Sequence, residues 1–175
     1  MKGYVIFGGV LVLGFGLLFF GGSNNQSVSN THGSANLNNS VNNQLAPDIS
    51  LELLSGGTIN LADYRGKKPV VLDFWASWCP NCRRDMPNLN RYYDKYKDQI
   101  EVIGINLHEN KNTVRDFISS QGINFPIALD PQSVAARKFG IQYTNTHFLI
   151  DKEGKLIRTI PGDIKESDIQ SLIQL

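Results

Sequence analysis

Cys79 and Cys82 are the two cysteines of the 175-residue chain, and they stand in the run Cys79-Pro80-Asn81-Cys82. Two thiols are too few for a disulfide-rich scaffold or for a complete four-ligand zinc site, so they act as a pair or not at all. An apolar run ends just before them and a helical pattern starts with them, which places Cys79 at a helix N-terminus and Cys82 one turn inside. Unpaired N–H groups and the helix dipole stabilise a thiolate there, lowering its pKa below the free value of about 8.5. Cys79 is therefore read as the attacking sulfur. Cys82, the more buried of the two, attacks the resulting mixed disulfide, releases the partner reduced and leaves a Cys79–Cys82 disulfide. A structural disulfide and half of a metal site are the alternatives, but a CxxC at a strand-to-helix junction favours redox chemistry.

Other residue types near the pair suit the same chemistry. Asp73 interrupts the apolar run ahead of Cys79. A carboxyl there is desolvated, which raises its pKa and suits it to accept the Cys82 proton, with a structural, hydrogen-bonded role as the alternative. Trp78 is the expected substrate contact beside an exposed sulfur, with Pro80 next to it, whereas Trp75 is read as packing. Arg83 and Arg84 either add positive potential near the thiolate or form a solvated helix face. Asp85 is given no role. His108 and Glu109, in the loop after the 100–106 strand, either edge the active-site face or form a plain surface loop, the second being favoured; His147 is read as an ordinary strand residue whose side chain can point away from the pair, and His32 as an idle polar residue.

Period and punctuation supply the elements that position these groups. Ile49, Leu51 and Leu53 alternate with polar residues, Ser55-Gly56-Gly57 provides a turn, and Ile59 and Leu61 resume the alternation, which predicts a hairpin. Val70-Val71-Leu72-Asp73-Phe74-Trp75 reads as a central strand covered on both faces. Cys82, Met86, Leu89, Tyr93 and Tyr96 recur at helical spacing, with Pro87 placed to kink the helix. A strand over 100–106, a helix around Val114 and Phe117, a short strand over 125–129 and a helix over 134–139 follow. Strands over 146–150 and 156–160 flank the turn Asp151-Lys152-Glu153-Gly154, and Ile169, Leu172 and Ile173 mark a terminal helix. The sum is an α/β domain with a mixed sheet between helices.

The N-terminal part reads differently. Gly3 to Gly22 carries no charge, and as a helix it matches the roughly 30 Å hydrocarbon core of a bilayer. Lys2 precedes it, so the positive-inside bias leaves the amino terminus in the cytoplasm and the rest outside. A cleaved signal peptide is the competing reading, but the apolar run is long for one and Phe19-Phe20-Gly21-Gly22-Ser23 is a poor cleavage site, so retention is favoured. No cysteine follows that could carry lipid. Residues 23–45 are rich in Asn and Ser and read as a disordered tether with a reach on the order of 25 Å. The expected organisation is a transmembrane anchor over 1–22, the tether over 23–45 and a globular domain over 46–175, on the outer side of the cell membrane.

The run Trp75-Ala76-Ser77-Trp78-Cys79-Pro80-Asn81-Cys82-Arg83-Arg84-Asp85-Met86-Pro87 resembles the active-site segment of membrane-anchored, extracytoplasmic thioredoxin-like proteins of the TlpA/ResA type. The likeness extends from Ala46-Pro47-Asp48 through Leu61-Ala62-Asp63-Tyr64-Arg65-Gly66-Lys67 to Phe148-Leu149-Ile150-Asp151, nearly the whole globular part. It implies a thioredoxin fold with an N-terminal hairpin and a central βα-type insertion, and a thiol–disulfide oxidoreductase that reduces protein disulfides. It also implies disulfide-containing extracytoplasmic clients, apocytochrome c among them, and electrons from an integral-membrane thiol donor. Asp73 is similar to the buried acid of thioredoxin itself, where many TlpA-type members carry Asn. Asp85 stands where the family often has Glu.

One position departs from the pattern. The family places a cis-proline opposite the CxxC, in a loop that pairs with the substrate backbone and shields the sulfurs from metal ions. The matching residue is Asn145, and no proline lies between Pro131 and Pro161. A cis bond before a non-proline residue costs roughly 3–4 kcal/mol, so a trans Thr144–Asn145 bond with a reshaped loop is expected. By the resemblance, Thr144 and Asn145 remain substrate-binding candidates. The departure leaves two alternatives to an oxidoreductase: a carrier that binds Cu(I) or zinc through Cys79 and Cys82 with His147 or a partner's residues, or a docking module without turnover.

The rest narrows the field. Seventeen basic against sixteen acidic residues, net charge +1, give no reason to expect nucleic acid as a partner. No flavin, nicotinamide or haem motif is present, and the chemistry needs no bound cofactor. Ala76 stands where a related thiol peroxidase would carry Thr or Ser, which disfavours that activity.

Overall fold

A computed structural model describes residues 44–175. The expected anchor over 1–22, nearly all of the tether and His32 lie outside the described residues. Within them no helix is long and apolar enough to cross a membrane. Ordered pairing begins at the end of the tether segment: Leu45 bridges Lys155, and the Gln44 carbonyl accepts the Leu156 N–H at 2.9 Å.

Seven strands form one mixed sheet in the order β2-β1-β5-β4-β3-β6-β7. The strands are β1 (Ser50–Leu53), β2 (Thr58–Asn60), β3 (Val70–Trp75), β4 (Glu101–Leu107), β5 (Ile127–Asp130), β6 (Thr146–Ile150) and β7 (Leu156–Pro161). The helices are α1 (Pro80–Tyr96), α2 (Lys111–Gln121), α3 (Val134–Lys138) and α4 (Glu166–Ile173), with a 3-10 turn over Leu61–Tyr64. The parallel β3–β4 and β4–β5 pairs and the antiparallel β3–β6 and β6–β7 pairs make the thioredoxin-like core. The β1–β2 hairpin adds to its β5 edge. Leu61, expected to extend the second hairpin strand, instead starts the 3-10 turn.

The period of two in β3 decides what lies under the cysteines. Val71 and Trp75 enter the core layer with Cys79, Cys82, Met86 and Leu89 of the α1 side, Phe117 of α2 and Ile169 of α4. Val70, Leu72 and Phe74 enter the opposite layer with Phe139 and Phe148, whose rings lie 4.9 Å apart. Asp73 therefore faces the α1 layer. In the β3–β6 register it stands directly opposite His147, and Leu149, next on that face of β6, belongs to the α1 layer too. Gly104 of β4 keeps this layer thin: a Cβ there would lie 2.8 Å from Ile127 Cδ1, 2.9 Å from Phe125 and 3.0 Å from Trp75 Nε1.

Candidate active site

β3 ends at Trp75 and the chain turns through Ala76, Ser77 and Trp78 into α1, whose N-cap is Cys79. Pro80 occupies the first helical position, where a missing N–H costs nothing. The Cys79 sulfur accepts the Cys82 N–H at 3.1 Å, and the two cysteines are joined as a disulfide with Cα atoms 5.3 Å apart. That N–H and the helix dipole act on the same atom, so reduction leaves Cys79 with the environment that favours a thiolate. Cys79 is 4% exposed and Cys82 is fully buried. The cysteine expected to be exposed is thus largely covered. Trp78 is 63% exposed beside it.

Glu109 fixes the approach to the cysteines. Its carboxylate accepts the Ser77 N–H at 2.7 Å, the Ser77 hydroxyl at 2.5 Å and the Asn106 amide at 2.7 Å. The residue read as plain loop surface therefore clamps the segment two residues before Cys79. The structure corrects that reading: Glu109 follows β4, the parallel neighbour of β3, so the ends of both strands meet at the site. His108, beside it, faces away and lies 2.8 Å from the Ser133 hydroxyl.

Beneath the disulfide layer lies a cluster of three titratable groups. His147 Nε2 is 3.4 Å from Asp73 Oδ1 and 3.4 Å from Asp85 Oδ2, and all three side chains are 1% exposed. This corrects the expectation that His147 points away: pairing opposite Asp73 puts both on the face covered by α1. Burial pushes the Asp73 carboxyl well above the ordinary carboxylate range, and the Asp85 charge pushes the same way. Burial raises Asp85 to about 6 against the opposing Ile164 N–H, which it accepts at 3.2 Å. Burial lowers the His147 imidazole to about 4. Among the described residues, both Asp73 oxygens, Asp85 Oδ1 and His147 Nδ1 have no hydrogen-bond partner.

The position opposite the cysteines is built around Asn145. It adopts φ +60°, a conformation that Asn tolerates and proline cannot reach. Its N–H donates to the Phe74 carbonyl at 2.8 Å, a bond proline cannot make, and its carbonyl accepts the Gly162 N–H at 2.7 Å. Its side-chain amide donates to Asp163 at 3.2 Å, Asp163 is held by Arg84 at 2.8 Å, and Arg84 donates to Asn81 at 3.1 Å. Arg84, read as potential source or solvated surface, thus ties the CxxC turn to the Asn145 loop. Arg83 lies 5.8 Å over the Phe117 ring. Thr144 lines an open groove of about 550 Å³ with Trp78 and Tyr143.

Asp85 and His147 were open to detection in the sequence. Cys82, Asp85, Met86 and Leu89 share one helical stripe, and residue 147 shares the parity of Leu149. Glu109 carried no such signal, because its contact depends on how two strand ends meet.

Comparison with known proteins agrees with this geometry. The AhpC/TSA family matches residues 42–159, a span that contains both cysteines. The chain is 39% identical over 130 residues to the thiol-disulfide oxidoreductase ResA of Geobacillus thermodenitrificans, covering 74% of each chain. It is 35% identical over 131 residues to ResA of Bacillus subtilis, covering 74% of this chain and 73% of that one. A Chlorobium tepidum structure assigned as a thiol:disulfide interchange protein DsbE superimposes with a TM-score of 0.69 at 32% identity, covering 76% of this chain and 95% of that chain. A dithiol at a helix N-terminus, on this sheet and with these relatives, establishes that the chain belongs to the AhpC/TSA family and is a thioredoxin-like thiol–disulfide oxidoreductase.

Proposed function

We propose that the protein is a membrane-tethered reductase of protein disulfides outside the cytoplasm. The observation that carries the reading is Cys79 as N-cap, its sulfur accepting the Cys82 N–H while bonded to the Cys82 sulfur. In the reduced protein the Cys79 thiolate attacks a client disulfide and one client thiolate leaves. Asp73 accepts the Cys82 proton, the Cys82 thiolate attacks Cys79 Sγ, and the second client thiolate leaves. The client gains two electrons and, with the proton given up by Asp73 and one from solvent, two thiols; the enzyme is left as its disulfide.

Trp78, Pro80, Thr144 and Asn145 form the client-binding edge. A transmembrane anchor over 1–22 and a tether over 23–45 hold the domain at the outer face of the cell membrane, the uncharged run from Gly3 to Gly22 supporting this. Electrons return from an integral-membrane thiol donor, and the clients are extracytoplasmic proteins with paired cysteines, apocytochrome c among them, which places the protein in cytochrome c biogenesis.

The test is a trap. The full-length Cys82→Ser protein accumulates mixed disulfides through Cys79 with clients, and the wild type reduces insulin. A Cys82→Ser protein that traps nothing, together with a wild type that does not turn over, removes the reading.

A further inference from the structure

We propose that His147 is a positioning residue for proton removal from Cys82, holding the Asp73 and Asp85 carboxyls around one imidazole nitrogen so that one of them is ionised in the layer under the dithiol. The inference rests on the assignment of Cys79 as attacking and Cys82 as resolving sulfur.

The geometry argues for it in three steps. Nε2 lies 3.4 Å from an oxygen of each carboxyl, so an ionised carboxylate on either side draws the ring hydrogen to Nε2, in competition with the Gly162 and Ile160 backbone acceptors around the ring. Nδ1 then carries the lone pair and is the ring nitrogen without a hydrogen-bond partner among the described residues. Two buried carboxyls facing each other disfavour double ionisation, and two protonated ones leave no base. A single N–H lying 3.4 Å from each, free to close onto whichever is ionised, favours the intermediate state with one negative charge. Asp85 is on the same helical stripe as Cys82, and Asp73 shares the face of β3 that carries Val71 and Trp75 into the Cys82 layer, so that charge stays in this layer whichever carboxyl carries it.

Charge reaching His147 from the other elements is already committed. Asp163, in the loop after β7, is bonded to Arg84 of α1 and to Asn145. Asp168 of α4 is bonded to Arg158 of β7. Asp73 of β3, Asp85 of α1 and the Cys79–Cys82 pair are the other buried ionisable groups of the α1 layer among the described residues, with Tyr92, Tyr93 and Tyr96 of α1 packed half-buried against it.

The test uses the reduced full-length protein and the aromatic disulfide 5,5′-dithiobis(2-nitrobenzoate). The Cys79 thiolate releases one thionitrobenzoate in a first phase, and Cys82 releases a second when it resolves the mixed disulfide. His147→Leu removes the donor, so the carboxyl holds its proton to higher pH and the acid limb of the second phase moves up. At pH 6 the second phase is expected to be about tenfold slower for each pH unit of that movement, with the first phase unchanged. His147→Gln, which keeps an N–H donor without a titrating ring, is expected to follow the wild-type profile.

Coincident second-phase profiles for wild type and the Leu variant overturn the inference, as does a Gln variant that follows Leu. Should the Leu variant fail to fold, carboxyl-carbon and imidazole NMR of the wild type decides. A common titration step at Asp73, Asp85 and His147 supports the inference, and carboxyl titrations that leave the His147 signals unmoved overturn it. A wild type with no second phase refutes the underlying assignment of the two sulfurs instead.

Discussion

The buried cluster predicts two stability profiles of opposite slope. Folding raises Asp85 from 3.8 to about 6, so its contribution is fully present below pH 3.8 and is lost as pH rises through 6. A rise of that size is about 3 kcal/mol, and screening at the Arg84–Asp163 edge brings the working figure to about 2 kcal/mol. Folding lowers His147 from 6.5 to about 4, so its contribution is present above pH 6.5 and is lost as pH falls through 4. That loss is worth about 3 kcal/mol. The assay is chemical denaturation of the oxidised full-length wild type, Asp85→Asn and His147→Leu between pH 4 and 7. Subtracting each variant from wild type removes the groups outside the cluster, so each difference reports the substituted side chain together with its effect on its two neighbours. The difference against Asp85→Asn should fall by about 2 kcal/mol as pH rises from 4 to 6, and the difference against His147→Leu should climb by about 3 kcal/mol toward pH 6.5. Two flat difference curves would mean that neither group changes proton affinity on folding, and the electrostatic reading of the cluster would be wrong.

Three further perturbations test the surroundings of the dithiol. Asn145→Pro removes the N–H bond to Phe74 and demands a φ far from +60°, so it should cost about 3 kcal/mol in urea unfolding rather than restore a family feature, and an unchanged midpoint would refute this. Glu109→Ala strips Ser77 of its acceptor and should cost about 2 kcal/mol with faster amide exchange at Ser77; unaltered exchange would show that the clamp is not formed in solution. Gly104→Ala pushes a methyl toward Phe125 and Trp75 and should destabilise by about 1–3 kcal/mol with altered tryptophan fluorescence, whereas a neutral result would mean that this layer yields.

Elements with a strong period were readable before any coordinates. β3 and β6 fall where the apolar runs put them, because a strand buried on both faces leaves no ambiguity about its extent. α2 is bracketed by local chemistry, with Asn110 accepting two N–H groups of its first turn and Gly122 at φ +64° closing its end. Leu61 was harder, since one apolar residue after a short strand fits either an extended or a 3-10 conformation, and only packing in the hairpin layer selects the turn.

The site divides along a similar line. Cys79, Cys82 and Asp73 announce themselves by residue type and by the elements they interrupt. Glu109 and Arg84 do not, because an exposed-looking charge acquires its meaning from a partner far away in sequence: Ser77 for one, Asp163 for the other. Asn145 lies between these cases. The missing proline was legible as a loss, yet the structure shows what replaces it: a backbone N–H that lengthens the β3–β6 ladder and a side chain that joins the surface chain to Arg84. A proline at that place would silence one donor and end the ladder a residue earlier. The chain instead holds the loop by hydrogen bonds, and each of these is worth only about 1 kcal/mol net. An arrangement held by several such bonds opens more readily than one fixed by a ring, so the Asn145 loop owes its shape to Asp163 and Arg84 as much as to its own backbone.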